Sequence, residues 1–578
     1  MGACQLFFLP SLKRLGLEIV QPTSRRSSPA FLTPATRRLL HHQKNTNTTP
    51  SSGSSIISQA AISGTTSPTS LFEYTAGRWL HLDKPQRDAR YIEFDFNRLY
   101  EKVLSLCPSA TSIQSFQKLE GGFSKAFVFR TNNDKHVVAK FPTSVAGPAR
   151  YVTNSEVATI TYLQRNTEIP IPTILDWSDD PTNSIGAAYI IMEHAGGVLL
   201  QEAWENMPSD MKVKCVGAIC SHILPMAKLD FPAYGSLYFS NASFLDSGSK
   251  QMLESDPKFC VGPHCRGSTY WDCNVGEPRY YAFSERNRGP WRDLSSYASG
   301  LIDSGLARLP PTGHRVLSQP QASYQGSVDR HRELLRLGKA VLSELIQHPD
   351  IQSNATPTLF HPDLHKRNVF VSTDDPTVVT GIIDWQCASV EPAFYYQDEV
   401  PDFAKIPPEG TAESADEALC NQAYELGWAL LAPRLGEVRK IDETLLRPFR
   451  YCHRTWRDGF VPFTYELMRL REAWGKLGFE KDCPIPELSP EEMSFYKEQL
   501  GIYEGMLEFR QDMVQTLGVE EDGWVSADRW EGVEKAHRYF YDTIMASMEN
   551  DKDRDELRTM WPFDQCQVSN ETGSSGRP

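Results

Sequence analysis

Between residues 95 and 193, hydrophobic residues follow two different spacings. Phe96, Leu99 and Val103 recur every three or four residues, which predicts a helix over Asp95–Leu106 with an acidic cap. Further on, short runs rich in β-branched and aromatic residues predict strands. The predicted elements are strands Ser115–Leu119, Ala126–Arg130 and His136–Phe141, helix Thr153–Gln164 and strand Ala187–Glu193. We therefore expect a small lobe of order β-β-β-α-β.

From residue 198 onward, longer segments with apolar residues three or four apart predict a mainly helical region. In Arg330–Gln347, for example, Leu334, Leu337 and Val341 keep this spacing. The other predicted helices are Val213–Leu229, Glu413–Leu431, Asp442–Arg457, Ser489–Leu517 and Ser526–Glu549. Residues 231–325 show no clear period, but they are rich in Trp and Tyr, so we expect them to pack as an insertion. These patterns predict an α+β protein with a small β-rich lobe and a larger helical lobe.

Two polar motifs in the helical region indicate phosphoryl-transfer chemistry. One is the predicted loop His361-Pro-Asp-Leu-His-Lys-Arg-Asn368, and the other is Asp384, which comes after the buried-strand pattern Val378–Ile383. Kinase-type transfer needs one carboxylate near the acceptor hydroxyl, and an amide oxygen and a second carboxylate that hold Mg²⁺ on the nucleotide phosphates. We therefore predict Asp363 as the base or hydroxyl-orienting group, Asn368 and Asp384 as metal ligands, and ATP with Mg²⁺ as cofactors.

The remaining side chains of this loop allow more than one interpretation. We expect His361 to hydrogen-bond the loop backbone rather than to act as a base. Lys366 and Arg367 place positive charge where phosphate charge develops, or else they are merely exposed. For His365, a contact with substrate or phosphate stays open.

The small lobe carries a matching set of nucleotide-binding candidates. Gly121 and Gly122 lie between two predicted strands, where backbone N–H groups can approach a phosphate, and Ser124 can add a hydroxyl. A plain β-turn is the alternative. Lys140 ends a Val-Val-Ala-Lys strand, and Glu156 lies in the next helix. In kinases such a pair holds the lysine on the α- and β-phosphates, whereas a lone lysine there is usually a strand-edge residue.

A hinge between the lobes is predicted where the buried strand Ile191-Met-Glu193 meets Gly196-Gly197. Backbone groups from Glu193 to Ala195 would then face the adenine. The alternative is an ordinary strand end with no ligand.

Charge is distributed unevenly over the 578 residues, whose formal net charge is −14. Residues 1–72 contain seven Lys or Arg and one acid, a net of +6, with arginine pairs at 25–26 and 37–38. This composition is typical of a mitochondrial transit peptide, and an ordinary disordered tail is the alternative. The acidic remainder argues against non-specific nucleic-acid binding. No stretch reaches the ~18 apolar residues that a membrane span requires.

Two further groups of residues suggest ligands without identifying them. Cys260, His264, Cys265 and Cys273 are close in sequence, but their spacing matches no common zinc pattern, so we favour reduced structural thiols. Acidic residues come after Asp384, and they either attract a cationic amine or sugar or form a solvated loop. These acids are Glu391, Asp398, Glu399 and Asp402.

These motifs together resemble the aminoglycoside phosphotransferase family, a group of kinase-like small-molecule kinases. The similarity covers roughly residues 115–430. The form of the His361–Asn368 loop and the motif Ile383-Asp-Trp385 favour this family over protein kinases. Pro362 and Arg367 depart from it, since the family often has glycine after the histidine and before the asparagine. The flanking motifs Phe72-Glu-Tyr-Thr-Ala-Gly-Arg-Trp-Leu80, Phe231–Leu237 and Arg288–Trp291 are similar to a fungal group with a mitochondrial label.

The resemblance implies a bilobal, protein-kinase-like fold with four parts. We expect a transit peptide and disordered linker over 1–70, an N-lobe with an N-terminal extension over 71–197, a C-lobe with the catalytic loop and the 231–325 insertion over 198–550, and a disordered tail over 551–578. The insertion is expected to govern acceptor choice through Trp271 and Trp291. The alternative is that these two indoles belong to the core.

The function implied is ATP-dependent phosphorylation of a hydroxyl on an unidentified small molecule in mitochondria. A catalytically weak nucleotide-binding scaffold, or pseudokinase, that serves mitochondrial maintenance is the alternative. A protein kinase fits less well, because no Ala-Pro-Glu segment comes after Asp384. The expected partner is the small-molecule acceptor, with no nucleic acid and no membrane span. The sequence does not indicate an oligomeric state.

Overall fold

The computed structural model describes residues 68–271, 273–276, 287–311, 322–406, 415–548 and 550–564. The predicted transit peptide and nearly all of the predicted linker therefore lie outside the described residues. From residue 68 onward, the chain forms a small lobe built on one sheet and a larger, mainly helical lobe. The predicted bilobal kinase-like fold is confirmed.

The chain enters the small lobe through an extension of short elements. These are strand β1 (Gly77–Trp79) and helices α1 (Asp83–Asp88) and α2 (Phe96–Ser105). Helix α2 begins as the sequence predicts, since the Asp95 side chain accepts a hydrogen bond from the Arg98 N–H. Its Leu99 and Val103 are fully buried against the sheet.

A five-stranded sheet in the order β2-β3-β4-β6-β5 forms the small lobe. Its strands are β2 (Ile113–Glu120), β3 (Ser124–Thr131), β4 (His136–Pro142), β5 (Ile174–Ser178) and β6 (Tyr189–Glu193), and helix α3 (Ala149–Asn166) lies between β4 and β5. Successive side chains of a strand point to opposite faces. On β4, Val137, Ala139 and Phe141 pack with helix α2, so Val138 and Lys140 face the other side. There Val138 packs against a small cluster that includes Val157 of α3.

The large lobe begins with strand β7 (Val198–Leu199) and helices α4 (Leu200–Trp204) and α5 (Ser209–Ile223). The aromatic stretch over 231–325 then contributes strands β8 (Ser236–Phe239), β9 (Gln251–Met252) and β10 (Phe259–Gly262), and helices α6 (Gly267–Tyr270) and α7 (Leu294–Ala307). The described part of this stretch is packed rather than loose, as expected. Trp291 is 2% exposed and contacts Tyr234, Tyr270 and Tyr297, so it belongs to the core.

The centre of the large lobe holds the predicted catalytic segment between two helices and a set of short strands. The elements are α8 (Val328–Leu345), α9 (Pro349–Ser353), β11 (Pro357–Leu359), β12 (Val369–Val371), β13 (Val379–Ile382) and β14 (Val390–Pro392). Strand β12 pairs with both β13 and β7. This small sheet connects the catalytic segment to the chain that arrives from the small lobe.

The carboxyl-terminal part is helical as predicted, with one strand. It contains α10 (Ala415–Leu431), α11 (Pro433–Val438), α12 (Glu443–Tyr451), α13 (Thr455–Asp458), α14 (Phe460–Ala473), α15 (Pro490–Leu517), β15 (Trp524–Ser526), α16 (Trp530–Ser547) and α17 (Asp551–Met560). The prediction of a disordered tail from residue 551 is wrong for its first part. Helix α17 forms there because Leu557, Trp561 and Phe563 are buried in a second hydrophobic cluster, which also contains Leu80 of the extension.

Candidate active site

The side chains of His361 and Asn368, the first and last residues of the catalytic loop, hydrogen-bond within the loop and to its neighbour. The His361 imidazole accepts a hydrogen bond from the Asp363 N–H at 3.1 Å and donates to the Ile383 carbonyl at 2.9 Å. It is buried, and this burial lowers its pKa. His361 therefore holds the loop backbone, as predicted, and is not placed to act as a base.

Asn368 and Asp363 are joined directly across the loop. The Asn368 Nδ2 group donates to the Asp363 carbonyl at 2.8 Å and to Asp363 Oδ2 at 2.9 Å. Because its amide nitrogen is used in this way, the Asn368 Oδ1 atom points away from Asp363. No described residue hydrogen-bonds this oxygen. Oxygen is the ligand atom that Mg²⁺ prefers.

The hairpin of β12 and β13 brings Asp384 beside Asn368. Val369 pairs with Ile382, and the Ile383 N–H donates to the Asn368 carbonyl at 2.9 Å. Asp384 then adopts φ 65°, a left-handed backbone that is uncommon for residues other than glycine. Such strain tends to occur at functional sites. The next residue, Trp385, is fully buried and stabilises this turn by donating to the Ile382 carbonyl at 3.0 Å.

Lys140 connects the two lobes at this point. Its Nζ atom lies 2.6 Å from Glu156 Oε1 and 2.7 Å from Asp384 Oδ1. Burial alone would lower the pKa of Lys140, but the two carboxylates outweigh burial and raise it. Burial raises the pKa of Glu156, and Lys140 opposes this effect. The predicted contact between Lys140 and Glu156 is therefore present, and the contact with Asp384 is an addition that sequence spacing could not indicate.

The two glycines form the tip of the hairpin between β2 and β3. The Gly121 N–H donates to the Ser124 carbonyl at 2.9 Å, so it closes the turn instead of facing a ligand. The Phe123 carbonyl accepts from Gln386 Nε2 at 3.4 Å, which places the hairpin tip next to the segment that carries Asp384. No described residue hydrogen-bonds the Ser124 hydroxyl. The hairpin is thus positioned over the site, as a phosphate-binding loop would be.

At the predicted hinge, Glu193 ends strand β6 and Ala195 is buried below it. The Glu193 N–H is already hydrogen-bonded to the Thr173 carbonyl at 2.9 Å, and the His194 ring lies 2.6 Å from the Ala195 carbonyl. A Cβ atom at Gly381 would approach the Ala195 Cβ to 2.7 Å. The hinge is therefore tightly packed against the β12–β13 hairpin, while its contact with adenine stays a prediction.

Sequence reasoning does not predict the contacts of Arg367 and His365 with Asp363. The Arg367 Nη2 atom donates to both Asp363 oxygens at 2.7 Å. The His365 Nε2 atom lies 3.3 Å from Asp363 Oδ1. With the Asn368 bond, these contacts occupy the roughly four lone-pair positions of a carboxylate. The contact of His365 is the longest of them.

The acidic residues after Asp384 are mostly paired within the protein. Glu391 accepts from His264 at 2.8 Å and is buried, and Asp398 lies 2.6 Å from Arg450. The Asp402 carboxylate accepts from the Lys366 N–H at 3.0 Å. Only Glu399 has no side-chain partner among the described residues, and burial raises its pKa. The alternative of a solvated loop is therefore wrong, and Glu399 is the one carboxylate of this described set left to attract a cation.

The described residues contain no group of three or more His, Cys, Asp or Glu side chains arranged to hold a metal ion. This applies to the candidate zinc set, whose described cysteines are free thiols. The predicted Mg²⁺ ligands are a pair rather than a triad, and their chemistry fits that ion. They offer the Asn368 Oδ1 atom and the Asp384 carboxylate. Among the described residues, the Asp384 carboxylate is hydrogen-bonded by Lys140 alone, at its own Oδ1 atom. Within the part of the chain described, no helix is long and apolar enough to cross a bilayer.

Comparison with known proteins gives a family and several relatives. The phosphotransferase enzyme family matches residues 282–395, a segment that contains Asp363, Asn368 and Asp384. A subtelomeric hrmA-associated cluster protein of Aspergillus fumigatus is 30% identical over 48% of this chain and 57% of its own length. The protein named altered inheritance of mitochondria protein 9, mitochondrial, of Yarrowia lipolytica is 22% identical over 80% of this chain and 85% of its own length.

Among solved structures, ADP-bound aminoglycoside phosphotransferase APH(2'')-Ib is 12% identical and overlaps 72% of this chain and 99% of its own, with a TM-score of 0.30. The kinase-like fold is evident from the order of the five-stranded sheet and from the contacts between the lobes.

The match to the Aspergillus fumigatus relative spans little more than half of that protein. Relatives named altered inheritance of mitochondria protein 9, mitochondrial, occur in several yeasts, including Candida glabrata and Lachancea thermotolerans. They confirm the predicted mitochondrial localisation, whereas the transit peptide stays a prediction. The sequence motifs, the kinase-like fold and the family match agree, and residues 282–395 are similar to the phosphotransferase enzyme family.

Proposed function

We propose that this protein transfers the γ-phosphoryl group of ATP to a hydroxyl of a small-molecule acceptor. The observation that carries the proposal is the convergence of Lys140, Glu156 and Asp384 in one ion-paired cluster beside Asn368 and Asp363. These residues come from both lobes and are distant in sequence. Phosphoryl transfer depends mainly on positioning and on stabilising charge, and this set provides groups for both.

In this proposal, each residue has a separate task. Lys140, oriented by Glu156, binds the α- and β-phosphates, and backbone N–H groups at the tip of the Gly121–Gly122 hairpin cover the phosphates. Asn368 and Asp384 hold Mg²⁺, which neutralises phosphate charge when bound. Glu193 and Ala195 contact the adenine.

Asp363 orients the acceptor hydroxyl and accepts its proton. Asn368 and Arg367 fix the direction of the Asp363 carboxylate. His365 is the neighbour that the acceptor displaces, since its 3.3 Å contact is the longest of those on Asp363. Arg367, which bonds Asp363, then provides positive charge that stabilises the negative charge developing on the phosphoryl group.

A second candidate function, a nucleotide-binding scaffold with weak catalysis, is favoured by the Arg367 contact itself. A guanidinium that bonds both oxygens of Asp363 occupies positions that an acceptor hydroxyl would need, and so it blocks the acceptor. The two functions predict opposite results for Arg367→Gln. Turnover above wild type would favour the scaffold, because a block has been removed. Turnover below wild type would favour the enzyme, because a positive charge near the phosphate has been lost.

The proposal is tested with the purified full chain. ADP release would be followed with Mg·ATP and a panel of alcohols, amino sugars and polyols, and ATP binding would be titrated separately. We expect Mg·ATP to bind and at least one acceptor to stimulate ADP release in wild type but not in Asp363→Asn. Failure to bind Mg·ATP would exclude the enzyme and the scaffold alike.

A further inference from the structure

The phosphate hairpin is held by a segment that precedes the kinase-like core. Glu120, which comes directly before the two glycines, extends its carboxylate to the backbone of the amino-terminal extension. Its Oε2 atom accepts hydrogen bonds from the Thr75 N–H at 2.8 Å, the Thr75 hydroxyl at 2.9 Å and the Ala76 N–H at 2.9 Å. Charge-assisted hydrogen bonds of this kind are stronger than neutral ones. One end of the hairpin turn is therefore fixed to residues 75 and 76.

The other end of the turn is fixed to the same segment. Lys125, on the far side of Gly121 and Gly122, is 1% exposed. Its ammonium group donates to the Phe72 carbonyl and, at 3.0 Å, to the Glu73 carbonyl. A lysine this deeply buried is normally paired, and here its partners are main-chain oxygens of the extension and the Glu120 carboxylate, 3.7 Å away. Both sides of the hairpin are thus held from outside the sheet.

Arg90 holds the tip of the turn itself. Its Nε atom donates to the Gly122 carbonyl at 3.1 Å, and its Nη1 atom donates to the Gln86 carbonyl at 2.9 Å. The guanidinium is 2% exposed and lies 4.4 Å from the ring of Trp79. A planar guanidinium that is stacked on an aromatic ring and bonded at two edges has little freedom to move. The Gly122 carbonyl is therefore held in one direction.

Fixing this carbonyl also fixes the next amide. In a trans peptide the C=O and N–H groups point in opposite directions, so the Phe123 N–H points away from Arg90. The Phe123 carbonyl contacts Gln386, close to Asp384, and the Thr143 N–H donates to it at 2.9 Å. The peptide units at the tip are consequently oriented before any ligand is present.

We propose that Arg90, with residues 72–76, forms a brace that orients the phosphate hairpin, and that Arg90 is a positioning residue for nucleotide binding. The inference rests on the proposed function, because the ligand of the hairpin is the phosphate chain of ATP. It assigns a task to residues 72–76 of the Phe72–Leu80 motif, which lie outside the kinase-like core. A preorganised loop loses less entropy when it binds, so the brace increases nucleotide affinity.

The test compares Arg90→Ala, Arg90→Lys and the matched control Arg78→Ala in the full chain. Arg78 also lies over a tryptophan, 4.2 Å from the ring of Trp530, but it has no hydrogen bond to the described hairpin residues. We would measure the Kd for Mg·ATP and the hydrogen exchange of the amides over 119–125 without nucleotide. Arg90→Ala should raise Kd about tenfold, which is ~1.4 kcal/mol, and should speed exchange in the hairpin. Arg90→Lys should recover part of both, because lysine can still donate to Gly122.

The brace is overturned if Arg90→Ala leaves Kd and hairpin exchange at wild-type values, or if Arg78→Ala changes both as much. Should Arg90→Ala fail to fold, Thr75→Val replaces it. That variant removes the hydroxyl bond to Glu120 and should speed hairpin exchange, and wild-type exchange would count against the brace. If wild type binds no Mg·ATP, the proposed function fails, and the exchange comparison alone still decides whether Arg90 holds the hairpin.

Discussion

At the scale of single residues, the Asp363 carboxylate is bonded by Arg367 and Asn368 and contacted by His365. None of these contacts involves the nucleotide-binding candidates of the small lobe. Asp363→Asn should therefore lower acceptor-dependent ADP release by ~10²–10⁴-fold, the usual effect of losing a positioned base. ATP titration should give a Kd within about threefold of wild type, or ~0.65 kcal/mol. Asp374→Asn, at an exposed aspartate near the β12–β13 turn, is the control and should match wild type.

Asp384 should behave differently, because it contacts Lys140 and is also a candidate ligand of Mg²⁺. Asp384→Ala removes a negative charge from the metal site, so it should weaken binding of Mg·ATP more than binding of ATP without metal. Parallel titrations with Mg²⁺ and with EDTA measure this difference. An equal loss in both conditions would assign Asp384 to the packing of the two lobes instead.

Single residues also show how far the sequence can be interpreted. The sequence predicts that Lys140 and Glu156 meet, because a strand and the helix after it place them at a familiar spacing, and they do. It does not predict the contacts of Lys140 with Asp384 and of Arg367 with Asp363. The first depends on how the lobes close, and the second depends on the direction of one flexible side chain. Neither is fixed by a local pattern.

At the scale of elements, the strands near the site match their hydrophobic patterns, whereas helix α7 is absent from the sequence prediction. Its sequence is rich in Ser and Gly, which have low helix propensity. Tertiary packing forms it: a Cβ atom at Gly300 would lie 2.6 Å from the Trp291 ring, so the glycine permits close approach of the two. A local signal does exist, since Asp293 and Ser296 form a capping box.

The packing between the hinge and the β12–β13 hairpin leads to a prediction for Gly381. Gly381→Ala would place a methyl group 2.7 Å from the Ala195 Cβ, which is attached to backbone and cannot turn aside. Overpacking of this kind costs ~1–3 kcal/mol of unfolding free energy. Gly217→Ala is the matched control, because Gly217 lies in helix α5 with no described atom within 4 Å of an added Cβ. Denaturant melts should show the first variant destabilised and the second as stable as wild type or more so.

A result in which Gly381→Ala is as stable as Gly217→Ala would mean that the hinge and the hairpin can separate at little cost. The two lobes would then be joined more loosely than their contacts indicate.

At the scale of the whole molecule, the two ends of the described chain meet. Strand β1 pairs antiparallel with β15, so that Arg78 lies opposite Val525. Leu80 packs in the same hydrophobic cluster as Phe509 and Trp561. No sequence pattern could predict this pairing, because both strands are only three residues long and lie near opposite ends of the chain. It anchors the extension that holds the phosphate hairpin.

Buried histidines in the large lobe and the carboxyl-terminal cluster make the stability of the protein sensitive to acid. Burial lowers the pKa of His331 and of His537 to about 4. The native protein therefore keeps both rings neutral as pH falls below the ordinary value of ~6.5, while the unfolded chain takes up protons. Stability that is fully present above pH ~6.5 should be lost progressively down to about pH 4, by roughly 3 kcal/mol for each histidine.

Measuring unfolding free energy against pH in wild type, His331→Gln and His537→Gln tests this linkage. Each variant removes one titrating group, so its stability should fall less steeply between about pH 6.5 and 4, even if it starts lower at neutral pH because a buried contact is lost. For His331 that contact is the hydrogen bond to the Gln325 carbonyl at 2.6 Å, and for His537 it is the bond from the Trp561 Nε1–H at 2.9 Å. Wild-type steepness in both variants would show that other groups cause the acid sensitivity.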